Sequence, residues 1–106
     1  AAPVTGACLW APENVSVTKG EDKLGSYAKV VGHDRKWCVE CGGHVFVDHR
    51  TTYGLIDVYG SILNEFKFAP KFHVYYEHSI LPIKDGLPKF KDFPTDFGGS
   101  GDLLAE

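Results

Sequence analysis

The sequence contains no methionine and no apolar stretch near the roughly 20 residues that a membrane-spanning helix needs. Its first residues, Ala1-Ala2-Pro3-Val4-Thr5, form neither the charged nor the apolar region of a secretory signal. The missing initiator methionine leaves processing, truncation and an upstream segment open as explanations. Basic charge is thin. Eleven Lys and Arg face 14 Asp and Glu for a net charge of −3, and no basic run exceeds two residues. The electrostatic footprint of a nucleic-acid binder is therefore absent, and neither nucleic acid nor a membrane is an expected partner. Three cysteines, an odd set, make no disulfide framework. Reduced thiols and a cytoplasmic location follow as expectations, and the sequon Asn14-Val15-Ser16 reads as a chance match.

Helical periodicity is scarce as well. What is present is alternation. Val15 and Val17 alternate with polar residues before a turn at Gly20-Glu21-Asp22, and Tyr27 to Val31 reads as a strand ended by Gly32-His33-Asp34. Trp37 and Val39 alternate up to a break at Gly42-Gly43, and Val45-Phe46-Val47 follows. In the run Tyr53 to Tyr59, Ile56 and Val58 share one face and Asp57 takes the other. Phe66 and Phe68 alternate with lysine, and His73 to Glu77 closes the series. Short strands separated by turn residues predict an all-β fold of antiparallel strands. Leu, Ile, Val and Phe make up more than a quarter of the chain, enough for one core, so residues 1–106 are read as a single domain. From Pro82 onward, Pro88, Pro94 and Gly98-Gly99-Ser100-Gly101 predict an extended tail, pinned by Phe90, Phe93 and Phe97, with 95–106 flexible.

The chemistry concentrates in Trp37-Cys38-Val39-Glu40-Cys41-Gly42-Gly43-His44. Two thiolates separated by two residues can turn toward one tetrahedral Zn²⁺, and glycine behind the second sulfur permits the tight turn. Cys38 and Cys41 are thus candidate ligands of a structural zinc, half of a four-ligand set. A redox dithiol and a pair of unligated thiols compete with this reading, although the thioredoxin-type motif calls for a following helix that the pattern does not supply. Cys8, in Ala7-Cys8-Leu9-Trp10, reads as a small buried hydrophobe. Each of His33, His44, His49, His73 and His78 can be a ligand, an acid–base group or simply structural. His73 stands apart, because in Pro70-Lys71-Phe72-His73-Val74 a polar side chain enters an apolar strand and needs a partner.

In combination these segments resemble the glutathione-dependent formaldehyde-activating enzyme family, which includes centromere protein V. The resemblance runs from about Thr5 to Phe93. It rests on Val17-Thr18-Lys19-Gly20-Glu21-Asp22 with Tyr27, on the knuckle Trp37 to Gly43, and on Tyr59-Gly60-Ser61-Ile62. Pro70-Lys71-Phe72-His73-Val74 and Asp85-Gly86-Leu87-Pro88-Lys89-Phe90 complete it. It implies a β-tent fold folded about zinc, with the Cys-x-x-Cys knuckle supplying two structural zinc ligands and an upstream Cys-x-Cys the other two. It also implies carbon–sulfur lyase activity on a glutathione adduct. Thr5-Gly6-Ala7 is similar to the residues just after the family's second cysteine group, so both upstream groups would precede Ala1 and Cys8 inherits no ligand role.

Three readings follow from that departure. An upstream segment exists outside this sequence, or His44, another side chain or a second subunit completes the zinc site, or the scaffold works without the metal. Exposed strand edges would favour a homodimer. The functional expectations are correspondingly three. The first is a zinc-dependent lyase acting on a thiol adduct. The second is a metal-poor isomerase, dehydratase or cyclase using His73, His44 and Tyr75 as catalytic acid–base groups, with Asp57 or Glu77 in support. The third is a non-catalytic zinc-stabilised interaction module, to which the aromatic residues Phe66, Phe68, Phe72, Tyr75 and Tyr76 would contribute a surface.

Overall fold

A computed structural model describes residues 2–106. Its strands are Ala7–Trp10 (β1), Leu24–Tyr27 (β2), Asp34–Cys38 (β3), His44–His49 (β4), Leu55–Tyr59 (β5), Lys89–Phe90 (β6) and Leu103–Leu104 (β7). Among the described residues the only helical elements are three-residue 3-10 turns, and none is long and apolar enough to cross a membrane. The all-β expectation holds. The chain divides into two compact units, one from Gly6–Phe66 and one from Lys67–Glu106 together with the residues up to Thr5.

The Gly6–Phe66 unit is a five-stranded antiparallel sheet in the order β1-β5-β4-β3-β2. Alternation decides its faces, as the period of two requires. Ile56 and Val58 of β5 are buried with Phe46 of β4, and Trp10, Val15, Val17, Leu24, Val45 and Leu63 pack against them. Burial of a fully enclosed side chain such as Ile56, 1% exposed, stabilises the unit by about 1.5–3 kcal/mol, and the partly buried ones contribute less. Val15 and Val17 thus belong to the core without forming a strand. The strand expected at Tyr27 to Val31 lies earlier, over Leu24–Tyr27, and 28–33 is a turn that leaves Val31 92% exposed. Two adjacent β-branched residues signalled a strand, but only Leu24 has a core to reach. β1 went unrecognised, because Ala7-Cys8-Leu9-Trp10 shows no polar alternation.

In the Lys67–Glu106 unit, β6 pairs antiparallel with β7, and His73 makes a single parallel bridge to Lys89. The strand expected from His73 to Glu77 therefore shrinks to one bridge. Tyr75 adopts a left-handed conformation (φ 51°), its N–H donates to the Asp92 carbonyl, and Tyr76–His78 forms a 3-10 turn. Phe66 and Phe68 form no strand either. The segment 95–106 carries a 3-10 turn at Thr95–Phe97 and then β7.

Two half-buried titratable groups of the five-stranded sheet couple its stability to pH in opposite directions. Asp57 lies opposite Leu9 and Val47, and its Oδ1 has neither solvent nor a hydrogen-bond partner among the described residues. Burial pushes its pKa up to about 6. The folded state thus favours the neutral acid, and stability falls as pH rises from about 4 to 6, by at most about 3 kcal/mol. Asp57→Asn is expected to gain up to that amount over the wild type at pH 7, a gain that disappears by pH 4 in melting curves.

His49 Nδ1 lies 2.7 Å from His33 Nδ1, with the Tyr53 ring against both imidazoles. Burial, then the charge of His33, lowers the pKa of His49. The stability that His49 contributes is present above about pH 6.5 and is lost as pH falls below it. Hydrogen-exchange protection factors in the 28–33 and 50–54 turns should therefore fall on acidification, and His49→Gln should flatten that response.

Candidate functional site

The first cluster forms where β3 ends and β4 begins. Cys38 N–H donates to the Gly43 carbonyl at 2.8 Å, and Gly42 N–H donates to the Cys38 carbonyl at the same distance. Gly42 takes φ +77°, a conformation that few other residues adopt. Val39 N–H donates to the Lys23 carbonyl, and the exposed Lys23–Glu40 ion pair (2.7 Å) adds to this tie between loop and β2. The turn aims amides at sulfur. N–H groups of Cys41 and then Glu40 hold the Cys38 thiol below its ordinary pKa, and Gly43 N–H donates to Cys41 Sγ at 3.4 Å. A Cys38 thiol stabilised in this way as a thiolate, with Cys41 three residues on, suits two of the four positions around a tetrahedral zinc. No group of three or more His, Cys, Asp or Glu side chains among the described residues is placed to hold a metal, so the donor set here is a half-site.

His44 opens β4 opposite Trp37. It is exposed, and its ring lies 5.8 Å from that of Tyr59. With Tyr27, Arg35, Trp37 and Gly42 it lines a shallow, open groove on the face opposite the core. Gly25 is required there. A Cβ on it would fall within 2.5–2.7 Å of the Trp37 ring, which shows how closely the indole lies over the β2 backbone. Cys8 is remote in character from this chemistry. It pairs with Val58 on the core face, and burial followed by the Asp57 charge pushes its thiol pKa up.

The second cluster belongs to the Lys67–Glu106 unit and centres on Lys89, which is 1% exposed. Its Nζ donates to Asp85 Oδ1, to Glu106 Oε1 at 2.6 Å and to the Leu87 carbonyl at 3.0 Å. Burial works against the ammonium, but hydrogen bonds to Asp85 and Glu106 outweigh it, and the Lys89 pKa rises. Lys89 and then His73 hold the Asp85 carboxyl well below the usual carboxylate range. Lys89, joined by the Gly86 amide, does the same for Glu106.

His73 Nε2 is 2.7 Å from Asp85 Oδ2, which supplies the partner that its apolar strand context demanded. Because Asp85 is ionised, Nε2 carries the proton, and the lone pair is left on Nδ1. The tyrosine whose ring meets His73 is Tyr76, at 5.8 Å, and its hydroxyl accepts the Ile83 N–H. Tyr75, named with His73 from the sequence, instead packs its ring against Phe93 and His78. Cys38, Cys41 and His44 therefore share one loop, and His73 shares another cluster with Asp85, Lys89, Glu106 and Tyr76, to none of which the sequence assigned a catalytic or ligand role. The demand of a histidine in an apolar segment for a partner was the one signal that pointed there.

A family model described as glutathione-dependent formaldehyde-activating enzyme matches residues 1–78. No curated protein and no solved structure matches the chain. The matched span contains the knuckle, the groove and His73 but stops short of Asp85 and Lys89.

The opposed shifts of the two thiols can be checked directly. In metal-free protein, alkylation at neutral pH should label Cys38 at least about tenfold faster than Cys8, because the thiolate is the nucleophile. Equal rates, or Cys8 first, would overturn the reading of the knuckle as a thiolate-stabilising turn.

Proposed function

This chain belongs to the glutathione-dependent formaldehyde-activating enzyme family, and from that premise we propose that it is a carbon–sulfur lyase interconverting a glutathione–aldehyde adduct with its free thiol and aldehyde. The observation that carries the reading beyond family membership is the His73–Asp85 pair. An imidazole 17% exposed, with Nε2 fixed on an ionised carboxylate, presents Nδ1 as a proton acceptor. In the adduct-forming direction His73 Nδ1 takes the proton of the thiol as sulfur attacks the aldehyde carbon. The resulting imidazolium returns a proton to the oxygen that was the carbonyl, giving the hydroxymethyl thioether. The reverse direction removes the hydroxyl proton, expels the thiol and re-forms the aldehyde, so protons and electron pairs balance without an oxidant. Asp85 stabilises the imidazolium, and Lys89 with Glu106 holds Asp85 in place.

Zinc enters this proposal as a structural ion. Cys38 and Cys41 would hold it, and it would supply a cross-link at the end of β3 and β4 once further donors complete its shell. His44, exposed beside the knuckle, is a candidate for one of those donors. A second reading keeps the His73–Asp85 pair as acid and base for isomerisation, dehydration or cyclisation of a small molecule. What favours it is that the network orienting His73, made of Asp85, Lys89 and Glu106 with the Leu87 carbonyl and the Gly86 amide, involves neither cysteine of the knuckle.

Exchange spectroscopy on glutathione with labelled formaldehyde separates the two readings. The wild type should accelerate interconversion of adduct and free aldehyde over the spontaneous rate, and His73→Gln should lower that acceleration by about 10²-fold. Asp85→Asn should shift the pH profile of the rate as well as its height. An unaccelerated exchange in the wild type would overturn the lyase reading. Zinc binding, measured by competition with a chromophoric chelator, should be lost in Cys38→Ser and in Cys41→Ser alike.

A further inference from the structure

We propose that His33 and His49 form a two-nitrogen chelate for a divalent cation of tetragonal preference, Cu²⁺ before all others, where β3 begins and β4 ends. The two residues stand one step beyond the cross-strand pair Asp34 and Asp48, and both are half-buried. Other histidines are engaged by carboxylates, His73 by Asp85 at 2.7 Å and His78 by Glu77 at 3.4 Å. His33 and His49 instead meet Nδ1 to Nδ1, at 2.7 Å. One proton fits between two such nitrogens, so a lone pair of one ring is aimed into the gap. When that proton moves through solvent to Nε2 of its own ring, both Nδ1 lone pairs face the gap and both imidazoles stay neutral. Neutral imidazole is the form that ligates a metal.

The separation selects the metal. Donors about 2.0 Å from an ion lie about 2.8 Å apart at the right angle of a tetragonal site, and about 3.3 Å apart at the tetrahedral angle. The observed 2.7 Å matches the first. The surrounding backbone holds it there. Thr52 Oγ1 lies 3.3 Å from the Gly32 carbonyl and 3.2 Å from the His49 carbonyl, and its donation between them ties the two turns together. The N–H groups of Thr52, Tyr53 and Gly54 converge on the same His49 carbonyl. Gly32, at φ +90°, admits the Thr52 methyl so closely that a Cβ on it would stand 2.5 Å away. The Tyr53 ring walls one side, 5.2 and 5.4 Å from the two imidazoles. Among the described residues no third His, Cys, Asp or Glu joins the pair, and Asp48 is engaged by Arg50. Water completes the shell, so affinity rests on the two nitrogens and follows the order Cu²⁺ over Ni²⁺ over Zn²⁺.

Because Cu²⁺ oxidises free thiols, it is added to the Cys38→Ser/Cys41→Ser chain, and Ni²⁺ is added to the wild type. Electron paramagnetic resonance should show one tetragonal Cu²⁺ per chain coupled to two nitrogens. His33→Gln and His49→Gln should each weaken binding about 10²-fold, since the second donor acts at high effective concentration, and each should leave coupling to one nitrogen. His44→Gln and His78→Gln should change neither quantity. In the wild type, Ni²⁺ should broaden the ring resonances of His33 and His49, and His33→Gln should abolish the effect on His49, a readout that stands even where the double serine variant does not fold. An unchanged Cu²⁺ affinity in His33→Gln, coupling to a single nitrogen in its parent, or Zn²⁺ binding as tightly as Cu²⁺ would overturn the proposal. None of these outcomes touches the lyase reading, whose histidine is His73.

Discussion

β4 is hydrogen-bonded on both sides, and the rest of the Gly6–Phe66 unit is placed by that constraint. Its register with β5 fixes Phe46 opposite Val58, which turns Phe46 into the cluster with Ile56 and leaves Val47, equally buried, on the other face. Its register with β3 must then absorb one extra residue, and it does so between Lys36 and Trp37. The irregularity sets His44, rather than Val45, opposite Trp37. Val45 joins the apolar cluster and His44 comes to the groove. A strand of strict period two could not send both Val45 and Phe46 to that cluster, because neighbouring side chains must leave on opposite faces. The knuckle begins one residue beyond Trp37, so the geometry of its thiols depends on the same register.

The Lys67–Glu106 unit rests on a different kind of constraint. A lysine 1% exposed cannot stand alone, since an unpaired buried charge is strongly destabilising. Two carboxylates and a backbone carbonyl satisfy it, and those carboxylates lie at Asp85 and Glu106, four residues before and 17 after Lys89. Satisfying the cation draws β6, β7 and the Asp85 turn together. Orientation of His73 is a by-product, because the second oxygen of Asp85 faces the imidazole. A network built to neutralise one ammonium therefore also fixes a histidine tautomer, which is the property an acid–base residue requires.

Local signals were legible wherever the determining residues are neighbours in sequence. Ile56 and Val58 against Asp57 gave β5 its faces, and Val45-Phe46-Val47 marked β4. Cys38 and Cys41 followed by two glycines marked the knuckle, where each hydrogen bond spans a few residues. Signals failed where the partner is distant. β1 carries no alternation and becomes a strand through pairing with β5, some fifty residues later. The Tyr27 to Val31 run has the residues of a strand but no core opposite it, and Tyr75 and Tyr76 are indistinguishable until the chain around Asp85 and Asp92 is in place.

The sequence by itself determined the fold class, the family and the thiol pair, because alternation, turn residues and the spacing of two cysteines act over a handful of positions. Only the tertiary structure decided which groups share a site. His73 acquires Asp85 from 12 residues away, Lys89 acquires Glu106 from 17, and Arg35, Trp37 and His44 meet through strand pairing. The physical reason is that a charge or an imidazole takes its properties from whatever surrounds it in space. Those surroundings are assembled by contacts that no local pattern encodes.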